Sequence, residues 1–130
     1  MYYFIGIKGS GMAALAIMLK EIGNEVVGSD LDKHFFTEDE LIKHGIKILP
    51  FNFENIKDNY TVIIGNAFLE DFPEVIAARN NKTCKCYRYH EFLGELMKNY
   101  NQFLYVVLMA KLLQLLFVKL FYLSFLILLI

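Results

Sequence analysis

The segment Tyr2-Tyr3-Phe4-Ile5-Gly6-Ile7-Lys8-Gly9-Ser10-Gly11-Met12 decides the fold class. It opens with a short apolar run that does not alternate, the pattern of a strand buried on both faces. Glycines follow, and then Met12, Leu15, Ala16, Leu19 and Ile22 recur at helical spacing. Gly23 and Asn24 suit the end of that helix. A strand, a glycine turn and a helix in this order begin a βαβ unit. Glycines let the backbone turn tightly and come close to an anion, and the helix behind them points free N–H groups and a positive dipole end at it. In the dinucleotide fingerprint G-x-G-x-x-G, Gly6 and Gly11 take the first and third places and Lys8 stands in the second. The same glycines serve equally in a plain strand–helix turn. Lys8 suits either the neighbourhood of a pyrophosphate or a solvated loop.

Working outward, the alternation continues. Glu25 to Val27 reads as a second strand, closed by Gly28-Ser29-Asp30. Thr37 with Glu40 has capping-box spacing and starts a helix that stops at Gly45. Ile46–Leu49, Tyr60–Ile64 and Thr83–Tyr87 read as further strands, Pro73–Arg79 and Glu91–Tyr100 as helices. The chain is therefore α/β, a Rossmann-like parallel sheet flanked by helices. In such sheets the ligand sits beyond the carboxyl ends of the strands. Asp30 occupies that edge some twenty residues after the glycine turn, where an acidic side chain accepts from a ribose or simply forms a turn.

Composition narrows the function classes. A net charge of −1 over 130 residues gives no electrostatic footprint for nucleic acid. Cys84 and Cys86 lie one residue apart, a poor disulfide geometry on one strand, and with no signal peptide they indicate a reducing cytoplasm. With His90 they offer three metal donors where a zinc site needs four, so no metal site is expected. His34 and His44 read as surface residues, Asp58, Glu70 and Asp71 as solvated loop charges. No nucleophile–base–orienter set is present, so no catalytic residue is assigned.

Several segments together resemble one family. Residues 3–13, Gly28-Ser29-Asp30, Lys47-Ile48-Leu49-Pro50-Phe51, Glu54-Asn55-Ile56, residues 62–68, Pro73-Glu74-Val75 and residues 88–94 are similar, in order and with matching spacing, to the amino-terminal domain of Mur ligases of the UDP-N-acetylmuramate–L-alanine ligase type. Lys8 stands where the commonest form of the family has glycine. The resemblance implies a three-domain enzyme of peptidoglycan precursor synthesis. Its first domain would hold UDP-N-acetylmuramate, its second ATP and Mg²⁺ on a P-loop, and its third L-alanine. ATP would activate the lactyl carboxylate as an acyl phosphate for attack by the alanine amine. Carried onto this chain, the UDP-sugar site comprises Gly6, Lys8, Gly9, Ser10, Gly11 and Met12, with Gly9 to Gly11 at the pyrophosphate. Asp30 would face the uridine end, and Asn66, Ala67 and Arg88 would line the same crevice.

The resemblance covers residues 1–101. Residues 102–130 differ sharply: they hold no Gly or Pro, and Lys111 and Lys119 are their only charges. They read as a hydrophobic helix. In the family a P-loop, G-T-H-G-K-T-T, belongs here and is absent, so this chain is expected to bind neither ATP nor Mg²⁺ through one. A change of reading frame accounts for the tail. If each shifted codon takes the third base of one codon and the first two of the next, Met109-Ala110 must give glycine. With third bases chosen to fit, Tyr105 to Leu115 gives C-G-T-H-G-K-T-T-T-T. The rival account is a membrane anchor. Phe103 to Ile130 is long enough to span roughly 30 Å of hydrocarbon, although each lysine would cost about 2.5–3.5 kcal/mol at its centre. Either origin predicts non-specific membrane association through residues 102–130.

Three functions are thus in play. The first is a ligase fragment that keeps the UDP-sugar domain, lacks the ATP site and is inactive alone. The second is a tail-anchored nucleotide-binding module. The third is an NAD-binding Rossmann domain. UDP-sugar binding against NAD binding discriminates the first from the last.

Overall fold

A computed structural model describes the backbone of residues 1–129 and the side chains of residues 1–99 and 113–129. The chain divides into two compact units, Met1–Phe92 and Leu93–Ile130.

The first unit is built on five strands: β1 (Tyr2–Ile5), β2 (Val26–Ser29), β3 (Lys47–Leu49), β4 (Thr61–Ile64) and β5 (Lys85–Arg88). They form one sheet in the order β3-β2-β1-β4-β5, and every pair is parallel. Chain order reverses beside β1, between β1 and β4, the switch point at which open parallel sheets leave a crevice. Tyr3 pairs with Val62 and Ile5 with Ile64, so these four residues share one face of the sheet. That face packs on Val75 and Ala78 of helix α3 (Pro73–Asn80), and all six side chains are buried. Phe4 and Ile63, on the opposite face, are also fully buried. The sheet is covered on both sides, which explains why its strands read as continuous apolar runs.

Helix α1 (Ser10–Glu21) follows β1 and buries Met12, Ala13, Leu15, Ala16 and Leu19. It ends at Gly23, whose φ of +100° lets its N–H reach Lys20 O while Asn24 N–H reaches Leu19 O. Helix α2 (Glu38–Lys43) stops in the same way before Gly45, at φ +74°. The Thr37 capping box does not form. Thr37 has helical backbone angles and caps nothing; its hydroxyl donates to Lys8 O at 2.6 Å. A short 3₁₀ turn, Phe53–Asn55, was not legible in the sequence.

Helix α4 runs from Tyr89 to Leu128. The expected helix over residues 91–100 and the expected tail helix are one element, because residues 95–128 contain neither glycine nor proline to interrupt the hydrogen-bond ladder. The compositional boundary at Asn101 changes side-chain chemistry without changing the backbone. From Leu113 to Leu129 the side chains are exposed, Phe121 at 77% and Leu128 at 84%. Lys111, part of the frame-shift reading, lies with residues 100–112 outside the described side chains. Among the described residues no helix is long and apolar enough to cross a membrane.

Candidate functional site

The carboxyl ends of the strands gather the residues singled out in the sequence. Gly6 follows β1 with φ +83°, a backbone conformation that side-chain-bearing residues avoid. Its N–H and that of Ile7 both donate to Ser29 O, at 2.9 and 3.1 Å, which folds the turn back over β2. Gly9 precedes α1 and donates to Gly6 O. No side chain caps α1, and among the described residues the N–H groups of Ser10, Gly11 and Met12 have no acceptor. These three donors lie at the positive end of a 12-residue helix, an arrangement that favours negative charge. Ser10 is exposed there, whereas the Met12 side chain is buried in the core and presents only its backbone to the turn.

Lys8 takes a different part from the one expected beside a pyrophosphate. Its side chain is 5% exposed, and its ammonium donates to Leu31 O at 2.9 Å and Lys33 O at 2.8 Å while pairing with Glu38 at 3.1 Å. The cation ties the loop after β2 to the glycine turn. Asp30 completes that tie: its carboxyl accepts from Lys8 N at 2.7 Å and from Leu31 N at 2.8 Å. Both Asp30 oxygens thus hold loop backbone, and the side chain is buried.

On the other side of the switch point, Asn66 and Ala67 are exposed after β4. Arg88, the last residue of β5, holds the loop that carries them. Its guanidinium donates to the carbonyls of Gly65 and Phe68 and pairs with Glu70. Glu70 also receives Arg79 at 3.2 Å. Hydrogen bonds from Arg79 and then Arg88 hold the Glu70 carboxyl below the usual carboxylate range, so this loop charge is paired rather than simply solvated. Asp58 is likewise engaged, accepting from Asn81 at 2.9 Å.

Two aromatic residues inside the family-like segments pack against glycines of this edge, a part that their positions in the sequence did not suggest. The Phe68 ring fills the place where a Gly6 side chain would go, and it packs with Phe51 and Phe72 at centroid distances of 5.3 and 4.9 Å. Tyr89 lies against Gly11, so that a methyl group there would come 2.8 Å from its hydroxyl. Only a three-dimensional arrangement pairs each ring with its glycine.

Beneath the turn, the buried carboxyl of Glu74 accepts from Ser29 Oγ at 2.5 Å, Asn52 N at 2.8 Å, and Tyr3 Oη and Asn55 Nδ2 at 3.2 Å each. Burial pushes the Tyr3 phenol well above its ordinary value. Cys84 and Cys86 are free thiols packed near the α3 face of the sheet; Cys84 Sγ donates to Lys57 O. Burial raises the Cys86 thiol. His34 meets Asp39 at 3.3 Å and His44 meets Glu21 at 3.3 Å, pairings that sequence spacing did not suggest. A groove of about 570 Å³ opens at the amino ends of the strands, lined by Tyr3, Val26, Lys47 and Tyr60. It lies across the sheet from the glycine turn.

Comparison with known proteins accords with this geometry. Residues 1–101 match the Mur ligase family, catalytic domain. The chain is 52% identical over 99 residues to a UDP-N-acetylmuramate–L-alanine ligase of Lacticaseibacillus casei, covering 76% of this chain and 22% of the relative. It is 52% identical over 102 residues to the Streptococcus gordonii protein of the same description, covering 78% and 23%. It superposes on the crystal structure of UDP-N-acetylmuramate–alanine ligase from Thermotoga maritima with a TM-score of 0.65 at 29% identity, covering 75% of this chain and 23% of that one. The chain thus spans less than a quarter of the curated relatives it matches. These matches favour the ligase reading over a nicotinamide-binding domain or a tail-anchored module.

Proposed function

Since the chain belongs to the Mur ligase family, we propose that residues 1–101 form a UDP-N-acetylmuramate-binding domain that acts in the cytoplasm and does not catalyse ligation by itself. The observation that carries this reading is the uncapped first turn of α1, where Ser10, Gly11 and Met12 present free N–H groups at the switch point of the sheet. A diphosphate has the oxygens to accept from them. Gly6 and Gly9 shape the turn, and Asn66 and Ala67 flank the crevice. Lys8, Asp30 and Arg88 belong to the site as residues that fix its loops.

The ATP and Mg²⁺ of the whole enzyme do not fit this chain. After Gly94 there is no glycine, and no lysine precedes a serine or threonine. Residues 95–128 are helical, with no loop to cradle a phosphate. Residues 102–130 are, on this reading, the P-loop region translated out of frame. Calorimetric titration of the chain tests the binding half of the proposal: UDP-N-acetylmuramate binds and NAD does not, and preferential NAD binding overturns it. Nucleotide sequence from the codon of Asn99 onward tests the other half. A shifted frame encoding G-T-H-G-K-T-T supports it, and the absence of one in any frame overturns it.

A further inference from the structure

Glu74 lies in the first turn of α3 and is 1% exposed. Its carboxyl accepts from three other segments: Tyr3 Oη of β1 at 3.2 Å, Ser29 Oγ of β2 at 2.5 Å, and Asn52 N and Asn55 Nδ2 of the β3–β4 connection at 2.8 and 3.2 Å. Among the described residues no cation pairs with it. Taking a carboxylate out of water without a cationic partner is costly, and an apolar side chain would pack α3 on the sheet without that cost. What the carboxylate adds is direction, since one group fixes four donors.

Two of these segments lead to the glycine turn. Ser29 ends β2, and its carbonyl accepts from the N–H groups of Gly6 and Ile7 at 2.9 and 3.1 Å. Asn52 and Asn55 hold the segment that carries Phe51. Phe51 packs on Phe68 at a centroid distance of 5.3 Å, and the Phe68 ring takes the place that a Gly6 side chain would occupy. Gly6 is thus held twice, through the Ser29 carbonyl and through the Phe68 ring, and both supports lead back to one carboxyl.

We infer that Glu74 is a positioning residue for the UDP-sugar site: buried away from any ligand, its carboxyl sets where the glycine turn after β1 stands. The inference rests on the reading of that turn as part of the UDP-sugar site.

The test labels the eight glycines of the full chain with nitrogen-15 and compares the parent with Glu74→Gln and Glu74→Ala. Glutamine keeps one acceptor oxygen. The amide resonances of Gly6 and Gly9 are expected to shift in both variants, and less in Glu74→Gln. Those of Gly23 and Gly45, which follow α1 and α2 with open space around them, stay in place. The dissociation constant for UDP-N-acetylmuramate, measured by calorimetric titration at a temperature where each variant is folded, rises about tenfold in Glu74→Ala and about threefold in Glu74→Gln. Unmoved Gly6 and Gly9 resonances, or unchanged affinity, overturn the inference whatever the loss of stability and leave the site reading intact. Equal shifts of all eight resonances also overturn it, because they mark a general loosening. If Glu74→Ala does not fold, the comparison with Glu74→Gln decides alone. Failure of the parent to bind UDP-N-acetylmuramate overturns the site reading itself, and this inference with it.

Discussion

The carboxyl of Glu74 on α3 and the hydroxyl of Ser29 at the end of β2 meet at 2.5 Å, and both residues are removed from solvent. The carbonyl of the same Ser29 receives Gly6 N–H and Ile7 N–H. A helix on one face of the sheet is thereby joined through one residue to the glycine turn. Glu74→Ala leaves the buried hydroxyls of Ser29 and Tyr3 without their acceptor. Each buried unsatisfied group costs about 1–3 kcal/mol, so the expected loss is roughly 3 kcal/mol in urea denaturation. Glu74→Gln keeps one acceptor oxygen and loses about half as much. Equal stability of both variants and the parent would remove this hub from the account.

Gly6 is constrained twice, by its φ of +83° and by the Phe68 ring. Gly6→Ala is expected to cost about 2–3 kcal/mol from backbone strain and overlap together. Phe68→Ala costs stability on its own by opening the contact with Phe51 and Phe72. The double variant loses less than the sum, since truncating the ring clears the overlap and leaves only the strain. Strict additivity in a double-mutant cycle would show that the ring does not press on position 6.

Lys8→Met keeps the apolar stem and removes the ammonium. Leu31 O, Lys33 O and Glu38 then lose a common partner, at an expected cost of about 2–3 kcal/mol. The salt dependence of UDP binding should be the same in both proteins, because the ammonium faces the loop after β2. A shallower salt dependence in Lys8→Met would put the ammonium at the phosphate instead.

Glu70 supplies a pH signature. Its carboxyl is held below the ordinary range by Arg79 and Arg88. A carboxyl depressed in the folded state adds stability above its unfolded value, and that stability disappears as pH falls through the lowered folded value. The melting temperature of the parent, followed from about pH 6 to about pH 3, should fall more steeply than that of Glu70→Gln. Parallel curves would mean that the two arginines do not hold this carboxyl.

The architecture was legible in the chain before any contact was known, and so was the strand edge that carries the candidate site. Apolar runs without alternation, Gly6-to-Gly11 and the helical period from Met12 left a parallel α/β sheet as the outcome, because strands buried on both faces and short connections admit little else. The glycine turn after β1 and the loop of Asn66 and Ala67 followed from the same logic, as did the abrupt change of side-chain chemistry at Asn101. It could not reveal where that change fell within an element, since apolar and polar residues alike continue a helix that lacks glycine and proline.

The contacts of the charged and aromatic residues depended on the folded arrangement. Asp30 lies 22 residues from Lys8, Thr37 lies 29 from Lys8, and Arg88 lies 20 from Phe68. Sequence spacing therefore could not show that Asp30 holds Lys8 N, that Thr37 holds Lys8 O, or that Arg88 holds the Phe68 carbonyl. Phe68 over Gly6 and Tyr89 over Gly11 are of the same kind. Phe68 over Gly6 needs the carboxyl ends of the paired strands β4 and β1, and Tyr89 over Gly11 spans from β5 past β4 to the helix after β1, proximities created by the parallel sheet and absent from the linear chain.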